Sequence, residues 1–265
     1  MDDSRTRLRV TFDEAAQLYD AVRPGYPHAM FDEIATLSGI SAGGRVLEVG
    51  CGTGQATLPL ARRGYRITCV ELGVALADVA RKKLAAFPET NIVVGAFEDW
   101  NVEAGAFDLV TSFTAWHWID PCIKYVMAAQ ALRPGGWLAL AWNVHVHSDE
   151  SEGFFDAVQA VYEREAPDLA ASFHPFPATV DAREVADEIE RSGLFGDLRI
   201  RHFRWEEEYS TERYLQLLSS YSDHRTLPAD VSRRLLTGIG SLIDDQFGGH
   251  VAKGYVTALY LARCR

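Results

Sequence analysis

Three glycines set two apart, Gly50, Gly52 and Gly54, stand in the run Val46-Leu47-Glu48-Val49-Gly50-Cys51-Gly52-Thr53-Gly54-Gln55, which opens on a short apolar segment. Glycine lets a backbone turn tightly and approach a bound group that a Cβ would hold off. Where such a turn opens a helix, the first N–H groups of that helix are available to a ligand. Glu71 closes a second apolar run, Arg66-Ile67-Thr68-Cys69-Val70-Glu71, 17 residues beyond Gly54. A carboxylate at that strand end can accept hydrogen bonds from both hydroxyls of a ribose. Each feature alone has a plainer reading: a structural turn for the loop, a solvated strand end for Glu71. A dinucleotide site would want the spacing G-x-G-x-x-G. The spacing here is G-x-G-x-G, with Glu48 two residues ahead of the first glycine. That pattern suits an adenosyl cofactor with no pyrophosphate to cradle, which carries instead an amino-acid moiety with an ammonium and a carboxylate.

Other residues could meet a second reactant. Ser112-Phe113-Thr114-Ala115-Trp116-His117-Trp118 follows a further apolar run, and ligands bind at the carboxyl ends of strands in open α/β sheets. His117 titrates in a range that suits proton transfer near neutrality, so it could act as a general base or orient an acceptor. The alternative is a buried histidine satisfied by hydrogen bonds. Trp116 and Trp118 would flank it, walling a pocket or packing the core. Tyr19 and Arg23 lie four apart and share a helix face if the helix runs that far. They face either a carboxylate of cofactor or acceptor, or solvent as a surface pair. His145-Val146-His147-Ser148-Asp149 offers an H-x-H with a nearby acid, as some metal sites do. No second well-spaced ligand pair accompanies it, so it reads as a surface loop and no metal is expected.

These residues need a scaffold that brings strand ends together. Short apolar runs alternate with amphipathic ones through the first half of the chain, which predicts βαβ units and a parallel sheet. Strands are expected at 45–50, 66–71, 91–95, 107–112 and 137–142, and helices at 55–63, 74–87 and 123–132, the last ended by Pro134-Gly135-Gly136. A helix over 12–22 precedes the sheet, ended by Pro24 and Pro27. Beyond residue 150 the pattern changes. Two helices within 150–193 are split by Phe173-His174-Pro175-Phe176-Pro177, a long strand covers 198–209, helices follow at 211–220 and 228–247, and a last apolar strand covers 255–262. The fold class is α/β: a mostly parallel sheet with a helical cap inserted late in the chain. Phe154, Phe155, Tyr162, Phe173, Phe176 and Tyr221 are cap aromatics, some packing the cap and some lining a pocket. One domain over 1–265 is expected, with N-terminal helices in 1–40, a cofactor-binding core in 41–145, and cap helices with the last two strands in 146–265.

Composition narrows the function. Of 265 residues 48% are hydrophobic, enough for a real core, yet no run is long and apolar enough to span a membrane. The N-terminus lacks the apolar stretch of a signal peptide, which points to the cytoplasm. The net charge of −11 disfavours nucleic acid as partner, because an acidic chain repels phosphate. A small acceptor is the more natural substrate, with the protein a monomer or homodimer. Cys51, Cys69, Cys122 and Cys264 form no CxxC pair and read as reduced structural thiols.

Val46 to Thr57, Glu71, Gly95-Ala96-Phe97-Glu98-Asp99 and Leu132-Arg133-Pro134-Gly135-Gly136 together resemble the class I S-adenosylmethionine (SAM)-dependent methyltransferases over about the first 145 residues. The resemblance implies a Rossmann-like sheet of seven strands with the last reversed. It implies a cofactor site built from Tyr19, Arg23, Glu48, Gly50, Gly52, Thr53, Gly54, Gln55, Glu71, Leu72, Ala96, Phe97, Glu98 and Phe113. Substrate would meet Trp116, His117 and Trp118, with His117 the catalytic candidate. The segments Phe12 to Pro27 and Ala115 to Trp118 are similar to the small-molecule group that includes trans-aconitate methyltransferase. One departure stands out: many relatives carry Gly-Asp in the adenine loop, where this chain has Gly95-Ala96. Glu98, Asp99, backbone or water must then meet the adenine amine, and the Phe97 N–H is the candidate for the ring nitrogen. The expected reaction is an in-line methyl transfer to an oxygen of a carboxylate or hydroxyl. A carboxylate needs no base; a hydroxyl would benefit from His117. Competing readings are an N- or nucleic-acid methyltransferase, which Ser112-Phe113-Thr114-Ala115 in place of (Asn/Asp)-Pro-Pro-(Tyr/Phe) disfavours, a SAM-binding protein without turnover, and, more distantly, an NAD dehydrogenase.

Overall fold

A computed structural model describes residues 16–146, 153–171 and 182–265. Apolar runs bounded by glycine and charge form the strands β1 (Arg45–Val49), β2 (Arg66–Glu71), β3 (Thr90–Val94) and β4 (Phe107–Phe113). β1 pairs in parallel with β2 on one side and β4 on the other, and β2 with β3. β5 (Leu132–Val146) lies parallel beside β4. β7 (His250–Cys264) runs antiparallel between β5 and β6 (Phe195–Ser210). The order β3-β2-β1-β4-β5-β7-β6 makes seven strands with the last reversed. The chain leaves β1 toward β2 and returns to its other side as β4, so a crevice opens at their carboxyl ends.

Helices cover both faces of the sheet. Ahead of it come α1 (Ala16–Val22) and α2 (His28–Ser38), the latter ended by Gly39 at φ 65°, whose N–H reaches Ala35 O. α2, α3 (Thr57–Arg62) and α4 (Val74–Lys83) bury Phe31, Leu60 and Ala80 against one face. α4 keeps Arg81, Lys82 and Lys83 in its last turn, where positive charge complements the helix dipole. On the other face, α5 (Lys124–Ala131) places Tyr125 and Ala128 beside Ile189 of a later helix.

β6 and β7 form a ribbon that runs on where β5 stops, and the cap is built on it. Tyr209, Val251 and Tyr255 from the ribbon pack with α6 (Phe154–Glu165) and, further along the chain, with residues 214–243. After α6 come α7 (Pro167–Ala170), α8 (Arg183–Ser192, which carries Ile189), α9 (Thr211–Ser219), α10 (Ser222–Arg225) and α11 (Ala229–Gln246). Val22 of α1 joins this third core, so the start of the described chain is packed into the cap.

Several elements outrun the sequence pattern. β5 takes in Pro134, Gly135 and Gly136, which were expected to end a helix ahead of the strand. The pairing survives them through a shift between Phe107 and Leu109, where Leu132 faces Phe107 and Trp137 faces Leu109. β7 begins at His250 because Ser210, the end of the long β6, pairs with it. The helix expected from Gln55 starts at Thr57, since residues 52–56 make the turn itself. The start of the expected 12–22 helix and the turn at Phe173–Pro177, with Phe173 and Phe176, lie outside the described residues. No helix among the described residues is long and apolar enough to cross a membrane.

Leu259 sits at the centre of the reversed strand, paired with Ala141 and fully buried. Leu259→Ala should cost about 2–5 kcal/mol, the usual range for an aliphatic side chain lost from a core that cannot collapse. Urea melts of the two proteins check this, and a loss below about 1 kcal/mol would mean the strand is not packed as described.

Candidate functional site

The glycine loop holds a conformation that other residues resist. Gly50, Gly52 and Gly54 all have left-handed backbones, at φ 71°, 55° and 81°. The Gly50 N–H donates to Val70 O at 2.8 Å, and a Cβ on Gly50 would stand 2.5 Å from Ala115 Cβ, so the loop is pressed against the chain leaving β4. Glu71 ties this loop to the next turn. Its Oε2 accepts the Gly52 N–H and its Oε1 the Gly73 N–H, both at 2.8 Å. Two charge-assisted bonds to backbone fix the plane of a carboxylate that is almost fully buried.

A cavity of about 520 Å³ opens over these atoms. One end is walled by Gly50, Gly52, Val70, Glu71, Leu72, Leu76, Gly95 and Phe97, and the other by Phe113, Thr114, His117, Trp118, Ile119, His145, Tyr221 and Asp223, with Tyr19 and Arg23 also in the wall. A Cβ on Gly52 or Gly95 would meet no protein atom, so both face open space. Thr114 turns the chain at the end of β4 with φ 55°, a strained value for a β-branched residue. Its hydroxyl bonds Tyr26 at 2.8 Å and its N–H reaches Ala141 O at 2.7 Å, which holds the strain in place.

Positive charge gathers on the cap side. The Arg23 guanidinium lies over the rings of Tyr19 and Tyr221, 5.0 and 4.6 Å from their centroids, and donates to Ser220 O at 3.0 Å. Its Nε has no hydrogen-bond partner among the described residues. Lys253 is buried behind Tyr221 and donates to the Tyr221 hydroxyl at 3.0 Å. Burial, with the charges of Lys253 and Arg23 adding to it, holds His145 well below the ordinary histidine range, so the ring is neutral. Asp223 is pulled down by its bond to His224 Nδ1 at 2.8 Å, against the desolvation that pushes it up. His117 accepts at Nδ1 a hydrogen bond from the Trp142 indole N–H at 3.2 Å.

The structure brings together in the cavity wall Tyr19, Arg23, Gly50, Gly52, Glu71, Leu72, Phe97, Phe113, His117 and Trp118 of the residues expected there. Others expected at the site support it from behind. Trp116 is buried in the core against Phe97 and Tyr125, because the 3-10 turn Trp116–Trp118 rotates successive side chains by about 120° and leaves His117 and Trp118 to the cavity. Thr53 is buried, and Gly54 packs on α4, where a Cβ would meet Leu84 at 3.2 Å and Ala80 at 3.4 Å. The Gln55 amide donates to Arg23 O at 3.1 Å and Asp20 O at 3.4 Å, fastening α1 over the loop, as does the Lys83–Asp20 ion pair. Ala96 and Glu98 are not in the wall, and the Glu98 carboxylate accepts the Asp120 N–H at 3.3 Å. Phe97 opens a 3-10 turn, so its own N–H has no partner within that turn.

His145 corrects the expectation of a surface loop. It is the penultimate residue of β5, opposite Tyr255 in the ladder, and its ring lies 4.9 Å from that of Tyr255. His147 and Asp149 lie outside the described residues, and among the described ones no His/Cys/Asp/Glu cluster is placed to hold a metal. Sequence reasoning also missed Asp223 and Thr114, and left Tyr221 undistinguished from Phe154 and Tyr162, which pack the cap core.

Known proteins resemble the chain in sequence and in fold. Residues 47–140 match the family model of a methyltransferase domain, spanning β1 through the middle of β5. An uncharacterised methyltransferase of Mycobacterium tuberculosis is 28% identical over 92% of this chain and 89% of its own. A malonyl-[acyl-carrier protein] O-methyltransferase of Geobacter sulfurreducens is 32% identical over 52% of this chain and 53% of its own. Among solved structures, a proposed type II methyltransferase from Anaeromyxobacter dehalogenans superposes with a TM-score of 0.63 at 23% identity, covering 91% of this chain and 97% of that one. That likeness speaks for the fold.

Glu48 lies beneath the loop, outside the cavity wall, with Oε2 lacking a hydrogen bond among the described residues. Burial pushes its carboxyl up to about 8, the nearby Glu71 charge adding to the rise and Thr57 opposing it. Because the folded value lies above the unfolded 4.5, the associated stability is fully present below about pH 4.5 and is lost as pH rises through about 8. The stability of the natural protein relative to Glu48→Gln should therefore fall between those pH values and level off above them. Denaturant melts across that range test this, and a flat difference would show that Glu48 ionises normally.

Proposed function

We propose that this class I, SAM-dependent methyltransferase transfers a methyl group to an oxygen of a small acceptor, a carboxylate or hydroxyl, held at the His117, His145 and Tyr221 end of the cavity. The observation that carries the reading is continuity: one enclosure runs from the Glu71 carboxylate and the bare backbone of Gly52 and Gly95 to that cluster. The donor set fits the cofactor. Glu71 would accept the ribose hydroxyls, Leu72, Leu76 and Phe97 would flank the adenine, and Arg23, whose Nε lacks a partner among the described residues, would meet the amino-acid carboxylate. When bound, SAM supplies a methyl group on a sulfonium, an electrophile that needs no further activation. The protein's task is then alignment and exclusion of water. Arg23 is clamped between two tyrosine rings, and Gln55 fixes the helix end that carries it.

Support for a small acceptor comes from the cavity, whose volume lies in the usual range of small-molecule sites, and from the chain's net charge of −11, which repels nucleic acid. Support for oxygen comes from the half-chain likeness to an O-methyltransferase. The similarity of Phe12 to Pro27 and Ala115 to Trp118 to the trans-aconitate methyltransferase group favours a carboxylic acid. On this reading the protein works as a monomer or homodimer.

Glu71→Ala should weaken SAM binding by about 1–3 kcal/mol through lost charge-assisted bonds. Calorimetry checks this, and unchanged affinity in a folded variant would remove Glu71 from the cofactor site. With isotopically labelled SAM and a panel of carboxylic acids, hydroxy acids, amines and RNA, label should appear on the acids. Transfer only to amines or RNA would contradict the proposed acceptor class.

A further inference from the structure

We infer that His117 serves this site as a fixed Nε2–H donor and not as a base, that Trp142 is the positioning residue that sets it, and that the acceptor is a carboxylate which arrives already ionised. This rests on the methyl-transfer reading above and narrows its acceptor to one class.

The indole N–H of Trp142 can only donate, and it reaches His117 Nδ1 at 3.2 Å. Nδ1 must therefore present its lone pair, and the single proton of the neutral ring sits on Nε2. His117 is exposed, and both rings are held by packing on their protein side. Trp142 is paired with Ala258 in the β5–β7 ladder, and its ring packs edge-on against Tyr260 at 5.8 Å and 83°. His117 sits in a 3-10 turn anchored by buried Trp116, its ring 4.8 Å from that of Trp118. A proton moved to Nδ1 would face the indole N–H head-on. The one lone pair with which His117 could act as a base is thus engaged, and its Nε2 edge can only donate.

The remaining groups at this end take protons no better. His145 would become a third cation beside Arg23 and Lys253 if it accepted one. The Tyr221 hydroxyl already accepts from Lys253 at 3.0 Å, and Asp223 is held at Oδ1 by His224 at 2.8 Å, a bond that lowers its carboxyl and makes it a weak base. A hydroxyl acceptor, which must lose a proton, finds only weak bases among these. A carboxylate loses none, and the positive charge of Lys253 buried behind Tyr221 favours it at this end. A lone pair of one carboxylate oxygen forms the C–O bond as the methyl–sulfur bond breaks. Sulfur keeps that bonding pair, both charges are neutralised, and a methyl ester leaves with a neutral thioether. A donor from His117 to the carboxylate orients it for this displacement.

The full chain, labelled with ¹⁵N-histidine, reports the tautomer directly by long-range ¹H–¹⁵N correlation, with His117→Gln used to assign the signal. The expected ring is protonated at Nε2, and Trp142→Phe should convert it to a mixture of tautomers. A ring protonated at Nδ1, or an Nε2–H ring unmoved by Trp142→Phe, overturns the assignment. The acceptor class is tested with labelled SAM on matched probes, phenylacetate and hexanoate against 2-phenylethanol and hexanol. Alkali-labile label, as in methyl esters, is expected, and alkali-stable ethers overturn it. On the carboxylate probes, His117→Leu should raise KM about ten- to a hundredfold with a smaller change in kcat, the effect of losing one bond to a charged group. His117→Gln, which can donate but cannot act as a base, should recover most of that loss, and equal loss in both variants overturns the donor role. Failure of SAM to bind would instead remove the underlying reading, while the tautomer measurement still reports on His117.

Discussion

The Glu71 carboxylate, accepting one backbone N–H from the glycine loop and one from the turn after β2, is the constraint on which the site depends. It joins two loops that leave neighbouring strands, and it does so at the point where the chain switches sides of the sheet. Bare backbone alone would leave the loop free to choose among left-handed conformations. The carboxylate selects one of them, and the contact of Gly50 with Ala115 then sets the distance to the exit of β4. The backbone of the glycine loop and of the turn after β2 is placed by these two contacts.

The far end is placed by long-range packing. The β6–β7 ribbon carries the cap beyond the sheet, and Val22 of α1 is packed into the same apolar core as Tyr209 and Tyr255. Arg23, one residue past that helix, is thereby brought against Tyr221, while Gln55 fastens its carbonyl to the loop. The cap and the glycine loop are coupled through one short segment of chain. The electrostatics follow from the same packing: burial keeps His145 neutral, and Lys253 on the ribbon and Arg23 on the N-terminal segment add to that effect. The cavity thus carries Glu71 at one end and, at the other, Asp223 and Arg23 in the wall with Lys253 behind Tyr221.

Much of the cofactor end was legible in the amino-acid sequence because it is made of local signals. The glycine spacing, the acid closing β2, and the apolar runs of β1, β2 and β4 each lie within a few residues of chain, and their order marks a doubly wound sheet. The acceptor end was not legible for a physical reason. His145, Tyr221 and Asp223 meet only when β5 pairs with β7, and no periodicity records that pairing. Trp116 and Trp118 look equivalent in sequence, and a single 3-10 turn sends one into the core and the other to the cavity. Glu48 and Gln55 belong to the loop motif, yet one lies beneath it and the other reaches backward to α1. The role of His117 was open between base, orienting group and structural histidine, and the contact that bears on it comes from a residue 25 positions away.

A crystal structure with S-adenosylhomocysteine bound is the most direct test of the central claim. The account predicts ribose hydroxyls within hydrogen-bonding distance of both Glu71 oxygens, with the thioether sulfur facing His117, His145 and Tyr221. Density for that compound elsewhere on the protein, or a ribose turned away from Glu71, would contradict it.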